Sequence, residues 1–301
     1  MDLQSAKAPA WLKKRLSLNR NIYEVKRILS EYSVKTVCES GLCPNITECF
    51  SKRSVTFLIM GDACTRSCGF CSVNNAAPDA IDPDEAPKVL EAVKRLESKY
   101  VIITSVTRDD LADGGADQFA EVVRTLKNFS QKLIVEVLVP DFKGEKSAVK
   151  TVIDAGADIF AHNIETVRRL YPLARPGAGY ERSLDVLRCA KCLSAKVVMK
   201  SGMMVGLGET EDEIIDAMRD LRSAGCEALT IGQYLSPGKD NLPVQRFAGL
   251  EEFARYEKIG GEIGFRHVAS GPFVRSSYFA EEGYRKIKER CDDECYTAAV
   301  S

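Results

Sequence analysis

Thr56-Phe57-Leu58-Ile59-Met60 is a short apolar run, and four residues beyond it begins Cys64-Thr65-Arg66-Ser67-Cys68-Gly69-Phe70-Cys71. An apolar run without polar alternation is how a strand reads when both faces are buried, as in a parallel sheet. Five more runs of this kind follow: Tyr100 to Val106, Leu133 to Val139, Ile159 to Ile164, Val197 to Val205 and Ala228 to Tyr234. Their spacing is that of βα units. Helical patterns fill the gaps. Leu90, Val93 and Leu96 recur at helical intervals, as do Phe119, Val122, Leu126 and Phe129. Thr210 with Glu213 reads as a capping box ahead of Ile214, Met218 and Leu221. Gly156 and Gly225 each close a helical pattern just before a strand, the place for a left-handed cap.

Six such units predict an α/β fold, a partial (β/α)6 barrel of the TIM type. An eight-unit barrel or an open doubly wound sheet fits the same pattern. All three gather chemistry at the C-terminal ends of their strands, and the cysteine octet falls on the first of those ends. The core spans 51–270. Residues 1–50 read as an N-terminal extension and 271–301 as a tail.

Composition narrows the function classes. The chain has 301 residues, which one barrel-sized domain can hold. Hydrophobic residues are 45% and charged residues 28%, which excludes a disorder-type composition. A net charge of −1 gives nucleic-acid binding no global electrostatic support. The apolar runs are too short for a membrane helix. The opening residues lack the apolar core of a signal peptide, so the expected location is the cytoplasm. In a reducing cytoplasm eleven cysteines are not expected to form disulfides. Six of them lie between Cys38 and Cys71, and that clustering needs a chemical reason.

Cys64, Cys68 and Cys71 form a CxxxCxxC on one loop. Three thiolates hold three irons of a [4Fe–4S] cluster and leave the fourth iron open. An open iron can chelate the amino and carboxylate groups of S-adenosylmethionine. One electron passed into that sulfonium yields a 5′-deoxyadenosyl radical. The bland alternative is zinc, which usually takes four ligands, and no fourth ligand follows here. Cys38, Cys43 and Cys49 form a second set, CxxxxCxxxxxC, again one ligand short. Its alternatives are a mixed zinc site or buried thiols.

CxxxCxxC after the first strand resembles the radical S-adenosylmethionine superfamily, and the two cysteine sets together resemble the lipoyl synthase family. Ala8-Pro9-Ala10-Trp11-Leu12, Thr104 to Leu111, Ala161 to Val167, Lys200 to Thr210, Leu229 to Leu235 and Gly271 to Tyr278 are similar to that family's segments. The resemblance implies two [4Fe–4S] clusters, with Cys64, Cys68 and Cys71 on one. Cys38, Cys43 and Cys49 hold the other, completed by a serine of Arg275-Ser276-Ser277-Tyr278, for which Ser277 is carried over. The tail would then close on the auxiliary cluster. It implies insertion of two sulfurs, at C6 and C8, into an octanoyl chain on a carrier lysine. The carrier would be a lipoyl domain or a glycine-cleavage H protein, and the electron donor a ferredoxin or flavodoxin.

The resemblance further places Phe70, Thr104, Asn163, Glu165, Lys200, Met204 and Gly206 at S-adenosylmethionine. Read alone, Asn163 and Glu165 share one face of a strand end. They could bind the methionyl amino group or cap the next helix. Gly206 could bring the backbone near the ligand or serve a plain turn. Lys200 is expected to pair with a carboxylate, and His162 to pack beside the site. Cys189 with Cys192, and Cys291 with Cys295, read as ordinary helical thiols. Lys13, Lys14 and Arg15 could dock an acidic carrier. Phe279 follows the tail motif where many relatives have histidine.

Other readings stay open: another sulfur-inserting or methylthiolating radical enzyme, a two-cluster electron carrier, or a zinc protein. Iron and sulfide counts on anaerobically reconstituted chain separate them. About eight irons per chain are expected, falling to about four when Cys38, Cys43 and Cys49 are alanine. A count of four that ignores those substitutions would make the second set structural.

Overall fold

A computed structural model describes residues 9–13 and 19–289. Lys14, Arg15, Cys291 and Cys295 lie outside the described residues. Among the described residues there are ten strands: β1 (Lys35–Thr36), β2 (Thr56–Ile59), β3 (Ala63–Cys64), β4 (Asn74–Asn75), β5 (Tyr100–Ser105), β6 (Ile134–Leu138), β7 (Ile159–Ala161), β8 (Val198–Val205), β9 (Ala228–Gln233) and β10 (His267–Gly271). Eight of them form one sheet in the order β1-β2-β5-β6-β7-β8-β9-β10. Every pairing from β2 to β10 is parallel, and only β1 runs antiparallel, against β2. Helices join successive parallel strands, and β1 and β10 are the two ends of the curved sheet. This is an open, partial barrel.

The six expected strands all form. The seventh parallel strand, β10, escapes a reading by apolar runs. Only Val268 in it is fully buried, and Ala269, Ser270 and Gly271 carry little side chain to signal a sheet.

The helix patterns hold with one exception. In Ala116–Phe129 the side chains of Phe119, Val122 and Leu126 are buried, while Phe129 is 51% exposed. It is the last helical residue, beyond the buried stripe, and the Lys94 ammonium lies 5.2 Å above its ring. In Glu85–Leu96 the buried stripe is Val89, Val93 and Leu96, with Leu90 at its edge. Gly156 and Gly225 both have φ +94°, a conformation that costs glycine no Cβ clash. The Thr210–Glu213 box forms in both directions at the start of Glu211–Ser223.

The N-terminal extension is packed onto this sheet. β1 pairs with β2, and a continuous core runs from Ile22 on helix Arg20–Glu31 to Val268 on β10. No helix among the described residues is long and apolar enough to cross a membrane.

Thr210→Ala removes the cap hydroxyl from an exposed helix start, so about 1 kcal/mol of stability should go, read as a lower urea midpoint at unchanged slope. Thr210→Ser should lose little. Equal losses in both would mean the hydroxyl is not what matters.

Candidate active site: two thiol triads at one barrel

The CxxxCxxC loop leaves β2 and is laced down on every side. Thr65 exchanges bonds with the segment after β5: its N–H and hydroxyl donate to the Thr107 carbonyl at 3.0 and 2.9 Å. The Asp109 N–H donates back to the Thr65 hydroxyl at 3.0 Å. Gly69 donates to the Ala174 carbonyl, and Leu242 N–H donates to the Gly69 carbonyl. The Asn241 amide reaches the Cys71 carbonyl at 2.8 Å. Arg66, between two of the cysteines, is buried. It grips Asp109 with two nitrogens at 2.7 and 2.9 Å and Asp141 with one at 2.7 Å. Such planar bidentate pairing fixes direction as well as distance.

Backbone groups surround the thiols. Backbone N–H groups of Thr107 and Arg66 point at the Cys64 sulfur at 3.3 and 3.5 Å, and that of Val73 at the Cys71 sulfur at 3.4 Å. Burial pushes the Cys71 thiol up to about 11, and the nearby Cys68 and Cys64 add to it. Burial likewise raises Cys68, against the pull of Arg175. A thiol that burial keeps protonated ionises more readily when a cation supplies the compensating charge. Among the described residues no three His, Cys, Asp or Glu side chains converge on a single ion position.

Beside this loop lies the barrel mouth. Thr104, Thr107, His162, Asn163, Glu165 and Arg175 line one cavity there. The Asn163 amide donates to the Glu165 carboxylate at 3.1 Å, so the two do share a face. Burial raises the Glu165 carboxyl, while Arg175 and Asn163 pull it back. Arg175 was not singled out from the sequence; an arginine before Pro176-Gly177 carries no periodic signal. It is buried, with one nitrogen on the Asn163 carbonyl at 2.8 Å and the Tyr171 hydroxyl at 2.9 Å. Its Nε has no hydrogen-bond partner. A buried donor left unpaired on a cavity wall is a place for an anionic acceptor. Met204 donates its N–H to the Glu165 carbonyl at 2.8 Å, and Thr104 donates its hydroxyl to the Leu138 carbonyl.

His162 packs beneath this wall as expected. Its Nδ1 faces the Val139 carbonyl at 2.8 Å and therefore carries the proton; Nε2 accepts from Ser183 at 2.9 Å. Lys200 does pair with a carboxylate, Glu136, at 2.7 Å, and both are buried. The pair lies toward the N-terminal ends of the strands, with the Tyr100 hydroxyl also on Glu136. Lys200 lines a separate cavity with Tyr100, Ser276 and Tyr284. The Gly206 turn is held from within. The N–H groups of Gly206 and Leu207 already donate to the Glu209 carboxylate at 2.6 and 2.8 Å, so those amides are spent within the chain. A Cβ at Gly206 would fall 2.3 Å from the Gln233 amide nitrogen, which is reason enough for glycine there.

The second triad comes from Val37–Ser40, the loop after it, and Ile46–Ser51. Cys38, Cys43 and Cys49 share the walls of one cavity with Thr56, Arg275 and Ser277. Burial pushes the Cys38 thiol up to about 12, with Cys43 and Cys49 adding to it against a bond from Thr56. The tail reaches this cavity over β9. Gly232 allows it, since a Cβ there would lie 2.1 Å from the Val274 carbonyl oxygen. The Asn45 amide donates to the Phe273 carbonyl at 2.6 Å. The Tyr278 hydroxyl donates to Glu48, and the Lys52 ammonium sits 4.1 Å over the Phe279 ring. The two serines part company: Ser277 lines the cavity of the three cysteines, and the Ser276 hydroxyl lies on the Asn163 side chain at 3.2 Å. Cys189, Cys192 and Cys226 are free thiols away from both triads.

Residues 58–221 match the Radical SAM superfamily. The chain is 53% identical over 274 residues to the lipoyl synthase of Rubrobacter xylanophilus, covering 91% of this chain and 85% of that one. It is 49% identical over 280 residues to the lipoyl synthase of Caldicellulosiruptor saccharolyticus, covering 93% and 98%. To that of Thermus thermophilus it is 48% identical over 284 residues, covering 94% and 88%. Among solved structures, a methylornithine synthase aligns at TM-score 0.54 and 17% identity over 85% of this chain and 80% of its own. A maturase of the [FeFe]-hydrogenase aligns at 0.55 and 13%, over 84% and 64%. At those identities the likeness is one of fold, and it agrees with the open barrel.

His162 offers a pH test of the wall. Burial and Arg175 hold the imidazole down at about 4, against an ordinary 6.5. The unfolded chain therefore binds the extra proton first. The stability carried by neutral His162 is complete above pH 6.5 and drains away as pH falls toward 4. About 1 kcal/mol should be lost between pH 7 and pH 5.5 by urea unfolding, and His162→Gln should flatten that slope. An equal slope in both proteins would show that His162 titrates normally.

Proposed function

This chain belongs to the lipoyl synthase family of radical S-adenosylmethionine enzymes, and from that premise we propose which of its residues carry the reaction. The reaction inserts two sulfur atoms, at C6 and C8, into an octanoyl chain held on a lysine of a carrier protein, giving the lipoyl group. When bound, a [4Fe–4S] cluster with S-adenosylmethionine supplies the hydrogen-abstracting radical, and a second cluster supplies the sulfur.

Cys64, Cys68 and Cys71 hold the first cluster in this reading. Arg66, tied to Asp109 and Asp141, keeps their loop open around it. Arg175 takes the methionyl carboxylate on its unpaired Nε, and Glu165 with Asn163 takes the amino group. Phe70, Thr104 and Met204 complete that wall. Gly206, whose amide is engaged with Glu209, contributes shape rather than a ligand bond, and Lys200, paired with Glu136 in a separate cavity, stays outside that wall.

Cys38, Cys43, Cys49 and Ser277 hold the second cluster. The observation that supports this is the shared cavity, whose wall takes Ser277 from the far end of the chain beside the three cysteines. Serine is the weaker ligand, which suits a cluster that must give up sulfur. Residues 1–50 thus bring three ligands, 51–270 the radical barrel and 271–301 the fourth ligand. The carrier is a lipoyl domain or glycine-cleavage H protein, and the reductant a ferredoxin or flavodoxin.

A single-turnover assay with dithionite, S-adenosylmethionine and an octanoyl-lysyl peptide tests the assignment. Ser277→Ala should still make 5′-deoxyadenosine but give at least tenfold less doubly sulfurated peptide. Ser276→Ala should keep most of the product. Wild-type sulfur insertion by Ser277→Ala would remove Ser277 from the ligand set.

A further inference from the structure

Arg275 stands where the two centres face one another. It lines the cavity of Cys38, Cys43, Cys49 and Ser277, and its charge is felt by Cys43 on one side and Glu165 on the other. Its guanidinium donates from one nitrogen to the Val274 carbonyl at 2.7 Å and the Pro272 carbonyl at 3.5 Å. Among the described residues no carboxylate pairs with it. Gly232 makes the place for it, since a Cβ there would come within 3.0 Å of that same nitrogen. At hydrogen-bond distance its charge meets only those backbone carbonyls, with the Glu165 carboxylate acting on it from farther away. Positive charge is seldom kept in such a place unless something negative fills the space beside it.

We propose that Arg275 is the counter-charge of the second cluster, offsetting the negative charge that three thiolates and Ser277 bring when metal binds, and so raising the potential at which that cluster accepts an electron. This rests on the two-cluster reading above. The physical reason is direct: a fixed cation favours whichever redox state is more negative. The chemistry needs it as well. When a carbon-centred radical joins a sulfide sulfur, the radical brings one electron and the sulfur brings two. The bond uses two, and the one left over reduces a ferric iron of the cluster to ferrous. Arg275 is thereby a positioning charge for sulfur transfer, made by the tail that also brings Ser277.

The test uses the full chain with Cys64, Cys68 and Cys71 all changed to alanine, so that only the second triad can load. Iron is counted, and the midpoint potential is read by a redox titration followed by electron paramagnetic resonance. Arg275→Gln should load about four irons, as its parent does, and shift the midpoint to lower potential; Arg275→Lys should stay near the parent. Loss of iron in Arg275→Gln with retention in Arg275→Lys would support the same role. An unchanged midpoint in iron-loaded Arg275→Gln, or an equal shift in both variants, would overturn the proposal alone. A parent chain that takes up no iron would instead overturn the two-cluster reading beneath it.

Discussion

Much of this structure hangs on the grip of Arg66 on Asp109 and Asp141. The cysteine loop has to hold three thiols in place, although exposed loops of this length otherwise relax. Arg66 fastens the loop at its centre, to an acid after β5 and an acid after β6. Burial alone would raise the Asp141 carboxyl, yet Arg66 and Arg182 hold it below the ordinary range. The ion pair compensates each charge that the fold has taken from water, and losing one partner would strand the other. The loop is therefore fixed to the strand ends themselves and moves only with them.

A second set of contacts depends on that placement. The Ser72 hydroxyl on the Ser40 carbonyl ties the radical loop to the segment carrying Cys38 and Cys43. The tail closes the assembly from the other side, with Ser276 on Asn163, Phe273 on Asn45 and Tyr278 on Glu48. The tail therefore touches the wall of the barrel mouth and the second triad at once.

Several site residues were legible because their chemistry is rare and local. Six cysteines at two spacings admit few explanations, and the strands that carry them are plain apolar runs. Asn163 and Glu165 could be paired from strand alternation alone. Arg66 was in plain view inside the octet but reads as a spacer until its partners, far along the chain, are seen. Arg175 and Arg275 have no spacing to betray them, and each is defined by what surrounds it. β10 stayed hidden because a strand at the sheet's end made of small residues carries no apolar run.

By itself the sequence determined the class of fold, the two triads and the family, since hydrophobic period and ligand spacing are set by neighbours along the chain. It also determined that Gly156 and Gly225 end helices, a matter of backbone sterics at one residue. Only the tertiary structure put Ser277 on the wall of the second triad's cavity and the Ser276 hydroxyl on Asn163, because the two serines are adjacent and alike until the tail is laid across Gly232. It alone decided that the amides of the Gly206 turn are filled by Glu209 and that Arg175 keeps a donor open. Charge and hydrogen-bond satisfaction depend on which groups meet across long sequence separations, and only folding brings those groups together.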